Sequence, residues 1–474
     1  MAHRNSVKVV EVCKVAPQPR SLADSVTPPP PPESLPLTFF DLLWLRFSPV
    51  QRHFFYEINH NSSNTYFSDS VLIPKLRASL SIALRHFLPL AGNVIWPQSF
   101  PKPILSYVQG DTVSLTIAES DADFCHLVST NNFNIKAEEY HPLTPPLAVS
   151  HERAAAVAFQ VTIFPNRGFC IGTSMHHAIL DGLTSTMFVK SWAHICKHEN
   201  SNLIPDQLKP LYDRSVVQDT AGLEPIFLNQ LLNMDSDRPF NRCLMFVDHF
   251  KAPAEDTIRG TFVFTREKIE ALRQSVKEKR QQHGHQSVQK LSTFCVTCAY
   301  VWICSIKAKE IQIDHKAAVL MGFTVDCRSR LDPSIPATYF GNCLSCSVAV
   351  AETKVVLGED GLIVAVNAIS EAIKRSDTDG VLGGLENLLP LLYSTSIDHE
   401  SLLSIAGSPR FGIYGTDFGW GRPKKVEVVS IEKTGAMSLT ESKYGGGGVE
   451  VGLVLKKHHM EAFYNLFAKG LANI

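Results

Sequence analysis

From Phe159 to Lys197 the chain reads as strand, turn, strand and helix, with two histidines at the last junction. Phe159, Val161 and Ile163 alternate with Gln160 and Thr162, the period-two signature of a strand. Pro165-Asn166-Arg167-Gly168 supplies turn chemistry, and Phe169, Ile171, Thr173, Met175 and His177 then share one parity. A hairpin is expected, with His177 at the end of its second strand. Asp181-Gly182 breaks the alternation, and LTSTMFVKSWAHICK continues as a helix. A histidine at such a junction is held by rigid elements yet can still face a cleft.

His177-Ala178-Ile179-Leu180-Asp181 places an acid four residues after a base. With 18 histidines and 46 acidic residues, about one HxxxD match is expected by chance, so the motif alone is weak. Two plain readings compete with catalysis: a core histidine, and an aspartate that only caps the next helix. Asp417-Phe418-Gly419-Trp420-Gly421 is far rarer, with a chance occurrence on the order of one in ten thousand for a chain of this composition. Two glycines around a tryptophan imply a tight, close-packed loop.

At 474 residues the chain exceeds one ordinary core, and two domains of about 200 residues are expected. Residues 7–12 alternate as a short strand, Pro28 to Pro32 form a surface connector, and LTFFDLLWLRF (37–47) is helix-like. Residues 74–91 carry Leu76, Leu80, Ala83, Leu84 and Phe87 at helical spacing, with Pro74 at the start and Gly92 beyond the end. Polar sequence over 216–255 reads as a crossover between an N-terminal domain (1–215) and a C-terminal one (256–474). The second half opens with strand-like GTFVFT and a helix with Ile269, Leu272 and Val276 in register. A hydrophilic loop at 282–289 precedes a helix beginning near Ser292. VEVVSI and VEVGLVL flank the turn Gly445–Gly448 ahead of a last helix carrying Met460, Phe463 and Phe467. Strands and helices mixed in both halves give an α/β fold.

A net charge of -1 without a dense basic stripe argues against a nucleic-acid partner. No stretch has the roughly 18 apolar residues of a membrane span, and the N-terminus lacks a signal-peptide core. Eleven cysteines suggest free thiols in a reducing compartment, with the cytosol as default. Two CxxC pairs, Cys295 with Cys298 and Cys343 with Cys346, sit in an apolar helical run and a strand-like run. Neither has the Gly-containing turn of a zinc knuckle, so no metal is expected. No GxSxG elbow supports a serine hydrolase.

HHAILDG followed about 240 residues later by DFGWG resembles the BAHD acyltransferases of plants. LTFFDLLWLRFSPVQRHFFYE, VDCRSRL with Tyr339-Phe340-Gly341-Asn342-Cys343, GSPRFGIYGTDFGWGRPKKVE and GGVEVGLVL resemble further blocks of the flavonoid and phenolic glycoside branch. The resemblance implies two chloramphenicol-acetyltransferase-like domains of mixed sheet flanked by helices, with a channel between them. It implies an acyl-CoA donor from one face, a small glycoside acceptor from the other, no permanently bound cofactor, and a monomer. His177 would be the general base. Asp181 would turn away from substrate and pair with an arginine, for which Arg328 is the match. Asp417, with Gly419, Trp420 and Gly421, would anchor a loop outside the reaction centre. Donor contacts are implied near Lys290, Ser292 and Thr293, where a helix N-terminus suits phosphate or pantetheine, against the simpler reading of a helix cap.

The stretch around HAILDG resembles malonyltransferases of phenolic and flavonoid glucosides, which makes malonyl transfer from malonyl-CoA to a glucosyl hydroxyl the first expectation. A malonyl carboxylate needs a cation, and Arg46 and Arg410 are candidates that could equally be structural or surface arginines. A hydroxycinnamoyl donor acting on an anthocyanin glucoside is second, and would need an apolar slot that Phe411 or Trp44 could help form. A silent binding protein of the same fold is the third reading, opposed by the intact His177, Asp181 and DFGWG.

Overall fold

The computed structural model describes residues 6–19, 31–58, 69–130, 135–199, 203–234, 240–247, 256–282, 291–310, 318–378, 380–393 and 400–472. Pro28 to Pro30, Lys290 and nearly all of the 282–289 loop lie outside the described residues.

Two large mixed sheets organise the chain. The first has six strands in the order Val7–Val15, Val113–Ser120, Val157–Phe164, Gly168–Met175, Val50–Glu57 and Lys425–Val428. The second has seven: Leu344–Glu352, Ala318–Asp326, Leu402–Ala406, Met437–Glu441, Val449–Lys456, Thr257–Phe264 and Ile135–Lys136. A four-stranded sheet of short strands is built from residues 34–36, 93–95, 104–106 and 153–155. Each large sheet holds one strand from the far end of the chain, so residues 425–428 close the first sheet and 135–136 the second.

The hairpin forms with Gly168 opposite Phe164 and Met175 opposite Val157, and Asn166 takes the left-handed conformation that its short polar side chain tolerates. Alternation along a strand suggests one wet face, yet every residue of both strands is buried. The polar positions survive because they are hydrogen-bonded: Gln160 Nε2 donates to the Pro142 carbonyl at 2.8 Å and to Thr162 Oγ1 at 2.9 Å. The helix Gly182–Lys197 starts at once, its first turn capped by Asp181. Trp192 on that helix is fully buried and donates through Nε1 to the Leu76 carbonyl at 3.2 Å and to Ser79 Oγ at 3.1 Å. It also packs against Phe159 at 5.1 Å, so helix and hairpin share one core. Burying each such aromatic contributes about 2–3 kcal/mol.

Three expectations shift. The helix expected over 74–91 runs Asp69–His86, with Pro74 inside it, and Leu88–Ala91 forms a separate 3-10 turn. The ring of Pro74 removes one N–H only a turn from the helix start, and Pro89 cannot prolong the helix. LTFFDLLWLRF holds a helix of only four residues, Phe39–Leu42. VEVVSI and VEVGLVL do not pair with each other. Lys425–Val428 adds to Val50–Glu57, and Val449–Lys456 takes Met437–Glu441 and Thr257–Phe264 as neighbours. Cys295, Cys298 and Cys343 are buried free thiols, and among the described residues no helix is long and apolar enough to cross a membrane.

A buried ion network ties the exchanged strand to the second sheet. Lys425 and Glu427 lie 2.9 Å apart, Arg259 reaches Glu427 at 3.3 Å, and its guanidinium donates to the carbonyls of Val428 and Val429 at 2.9 and 3.0 Å. Burial alone would raise the Glu427 pKa, but Lys425 and Arg259 outweigh it and hold the carboxyl below its ordinary value. Removing one partner strands the other charge in a dry interior. Lys425→Met is therefore expected to cost about 3–5 kcal/mol of unfolding free energy, read from the urea midpoint. A loss below about 1 kcal/mol would mean that the network is wet or dispensable.

Candidate active site

Between the two large sheets lies a cavity of about 2270 Å³, lined by Val50, Arg52 and Val428 from the first and by Leu320, Gly322, Leu402 and Leu439 from the second. His177 lines it, at the end of the hairpin. The two neighbouring histidines part ways. His176 is fully buried, and its Nδ1 accepts from the Ala178 backbone at 3.2 Å. His177 keeps partial exposure to the cavity, its ring stacked on Trp44 at 4.2 Å and 11° and edge-on to Phe47 at 5.6 Å. Nδ1 of His177 is buried and makes no hydrogen bond within donor–acceptor distance among the described residues. Burial lowers the His177 pKa to about 4, opposed by its own backbone carbonyl, the Asp181 charge and Asn342. The imidazole is thus a neutral base at physiological pH, oriented by stacking and by its backbone rather than by a carboxylate.

That backbone is clamped. Asn342 Nδ2 donates to the His177 carbonyl at 2.8 Å, and the same amide, with its own backbone N–H, donates to Asp41 Oδ1 at 3.0 and 2.9 Å. Asp41 in turn accepts from the backbone and hydroxyl of Thr38, both at 2.9 Å, and faces Arg214 at 3.5 Å. Asp181 points into the wall. One oxygen accepts from Thr184 N at 2.8 Å, and the other meets Arg328 Nη1 at 2.7 Å and accepts from Cys343 N at 3.3 Å. Arg328 Nη2 also donates to the Gly341 carbonyl at 3.1 Å. Burial would lower the Arg328 pKa, but Asp181 beside it more than reverses this.

The remaining candidates separate. None of Asp417, Gly419, Trp420 and Gly421 lines the cavity. Asp417 Oδ1 accepts from the N–H groups of Gly419 and Gly421 at 2.8 and 3.0 Å, and Oδ2 meets Lys197 at 2.7 Å. Gly419 and Gly421 hold φ of 106° and 91°, a conformation open to glycine at little cost. Trp420 packs edge-on to Phe169 at 5.7 Å, so the loop braces the hairpin from outside. Arg46 lies away from the cavity as well, its Nε donating to the Met245 carbonyl at 3.3 Å. A buried guanidinium held by backbone cannot swing to an acyl group, so of the two arginines expected as acyl-pocket candidates Arg410 alone, an exposed residue, lines the cavity. Trp44 and Phe411 both line it.

Ser292 caps the helix Thr293–Ala308, accepting from Cys295 N at 3.1 Å, and both Ser292 and Thr293 line the cavity. Arg273, Lys277 and Arg280 line it beside them from the helix Arg266–Gln282. Their spacing of four and three residues puts them on one helix face, a pattern the sequence displays without marking it as a site. The clamping roles of Asp41 and Asn342 are not marked by any periodicity or motif spacing. A lone aspartate inside LTFFDLLWL was the available signal, since an acid in so apolar a run must find buried partners.

A family model described as the transferase family matches residues 24–469. The Arabidopsis thaliana phenolic glucoside malonyltransferase 1 is 41% identical, over 99% of this chain and 98% of its own length. The Arabidopsis malonyl-CoA:anthocyanidin 5-O-glucoside-6''-O-malonyltransferase is also 41% identical, over 98% and 99%. The Arabidopsis agmatine coumaroyltransferase is 38% identical, over 99% and 100%. Among solved structures, vinorine synthase superposes with a TM-score of 0.68 at 20% identity, covering 96% of each chain, a likeness of fold. The chain belongs to this transferase family, the BAHD acyltransferases.

The depressed histidine pKa values set a pH dependence. The folded values, about 4 for His177 and about 3 for His176, lie below the ordinary 6.5. The unfolded chain therefore binds more protons, and the stability these groups contribute is full above 6.5 and lost as pH falls toward 4. Imidazole NMR is expected to show both rings neutral at pH 5.5. A His177 midpoint near 6.5 would contradict the desolvated site.

Proposed function

We propose that the protein transfers a malonyl group from malonyl-CoA to a glucosyl hydroxyl of a phenolic or flavonoid glucoside. The observation that carries the reading is a neutral imidazole lining a cavity that also holds a basic helix face and a helix N-terminus. The malonyl donor rests on the full-length likeness to two malonyltransferases. A coumaroyltransferase at 38% identity keeps an aromatic donor as the second reading, and Trp44 and Phe411 are the apolar side chains it would use.

In the proposed mechanism the free nitrogen of His177 takes the proton from the acceptor hydroxyl as its oxygen attacks the thioester carbonyl. The C–S bond breaks when the tetrahedral intermediate collapses, and the imidazolium returns the proton to the departing thiolate. No acyl-enzyme is needed. Cys346, a thiol that lines the cavity, is pushed up to about 12 by burial and is a poor thiolate source. Asp181 and Arg328 act as positioning residues for the His177 loop, and Asp417 with Gly419, Trp420 and Gly421 braces the hairpin. Ser292, Thr293 and the Arg273–Lys277–Arg280 face would receive the phosphates of coenzyme A, drawn by charge and by helix N–H groups. No permanent cofactor enters this scheme. We further propose a monomer working in the cytosol, with its main domain division at the 216–255 crossover.

Mass spectrometry of phenolic glucosides incubated with the protein and either malonyl-CoA or coumaroyl-CoA tests the donor. A malonyl mass increment is expected, and a coumaroyl increment alone would reverse the choice. Arg273→Ala with Lys277→Ala should raise KM for the acyl-CoA about tenfold, with the gap narrowing at high salt. An unchanged KM would move the phosphates elsewhere.

A further inference from the structure

Most cations around the cavity are already committed. Arg328 is held by Asp181 at 2.7 Å and Arg330 by Asp377 at 3.2 Å, while Arg273 and Arg280, which also touch Glu270 and Asn367, lie on the helix face assigned above to the phosphates. Lys277 and Arg410 are exposed. Arg52 differs from all of these. It lies in the strand Val50–Glu57 and is only 7% exposed, and it lines the cavity. Its guanidinium makes no hydrogen bond or ion pair with any described residue.

Arg52 has no close counter-ion among the described residues. Glu441, another cavity residue, is the carboxylate that acts on it electrostatically, beyond ion-pair distance. Glu441 also acts on Lys190, whose ammonium donates to the Phe411 carbonyl at 2.6 Å. Glu441 is thus within electrostatic reach of two cations, and of these Arg52 alone lines the cavity. Glu441 is itself only half satisfied: Oε1 accepts from Tyr414 N at 2.7 Å, but Oε2 is buried without a partner among the described residues. Burial brings the Arg52 pKa down to about 10, with Glu441 pushing it back, so the group stays charged at neutral pH. A buried guanidinium without a counter-ion is costly, and an anionic ligand relieves that cost.

We propose that Arg52 holds the free carboxylate of the malonyl group, which makes it the residue that selects a dicarboxylic acyl donor. The inference rests on the malonyl reading of this same cavity. Position favours it. Arg52 pairs in register with Thr173 on one side and Val428 on the other. Thr173 precedes His177 by four residues, two of them beyond the strand's end at Met175, so their Cα atoms are at most about 14 Å apart. An arginine side chain and an imidazole converging over that distance leave room for a thioester carbonyl beside the base and its carboxylate beside the guanidinium. The planar fork matches a carboxylate in bidentate fashion, which an ammonium cannot reproduce.

The test compares kcat/KM for malonyl-CoA and acetyl-CoA with one phenolic glucoside, since the two donors share the coenzyme and differ in the carboxylate. In Arg52→Gln the malonyl-to-acetyl ratio is expected to fall about 100-fold, and Arg52→Lys should retain part of the preference. A ratio unchanged in Arg52→Gln overturns the assignment. That includes the case where both rates fall together, which would mark a structural or phosphate-binding arginine. Should Arg52→Gln not fold, the wild-type enzyme offered the methyl ester of malonyl-CoA gives the answer. Discrimination of at least about tenfold against the ester is expected, and equal use of ester and acid overturns the proposal. Failure of the wild-type enzyme to use malonyl-CoA at all would instead remove the reading on which the inference stands.

Discussion

The loop that carries His177 hangs on the buried pair of Asp181 and Arg328, 2.7 Å apart in the cavity wall. Taking two charges out of water is costly, and the geometry repays it only if the remaining lone pairs and N–H groups are satisfied. Here they largely are. The carboxylate also takes the N–H groups of Thr184 and Cys343, and the guanidinium also reaches the Gly341 carbonyl. The pair therefore joins three pieces of chain distant in sequence: the histidine turn, the 326–328 segment and the 339–343 segment. A second clamp, Asp41 through Asn342 to the His177 carbonyl, fixes the turn from the other side. The His177 imidazole sits where it does because its turn is held twice, and no carboxylate among the described residues touches its ring.

That arrangement explains the chemistry the site favours. A stacked, desolvated imidazole gives up some basic strength but is never lost to protonation near neutrality. A thioester is already an active acyl donor, so the protein has only to take one proton, hold two substrates together and keep water scarce. The basic face of the helix Arg266–Gln282 and the capped start of Thr293–Ala308 sit on the same cavity as the base, so one cavity offers both a phosphate-friendly end and a reactive centre.

Much of this was legible in the residues. The hairpin, the junction histidine and the Asp181 cap follow from alternation, turn chemistry and a single acid ahead of an apolar helix. The Asp181–Arg328 contact came from resemblance, since no periodicity can say that residues about 150 apart will meet. Other features were hidden for physical reasons. Strand pairing is non-local, so nothing in VEVVSI marks it for the first sheet rather than for its neighbour VEVGLVL. Arg46 and Arg52 lie six residues apart in similar surroundings, and which one faces a cavity depends on the register of strands far along the chain. The helical face of Arg273, Lys277 and Arg280 was readable, but only once its helix was known to border the cavity.

The proposed transfer depends on one imidazole acting as a base, and kcat/KM for acyl transfer in His177→Ala at neutral pH tests it most directly, with circular dichroism to confirm an intact fold. A loss of about 100- to 10,000-fold is predicted, the range for removal of a positioned general base. A folded variant that turns over within about threefold of the wild-type enzyme would contradict the account.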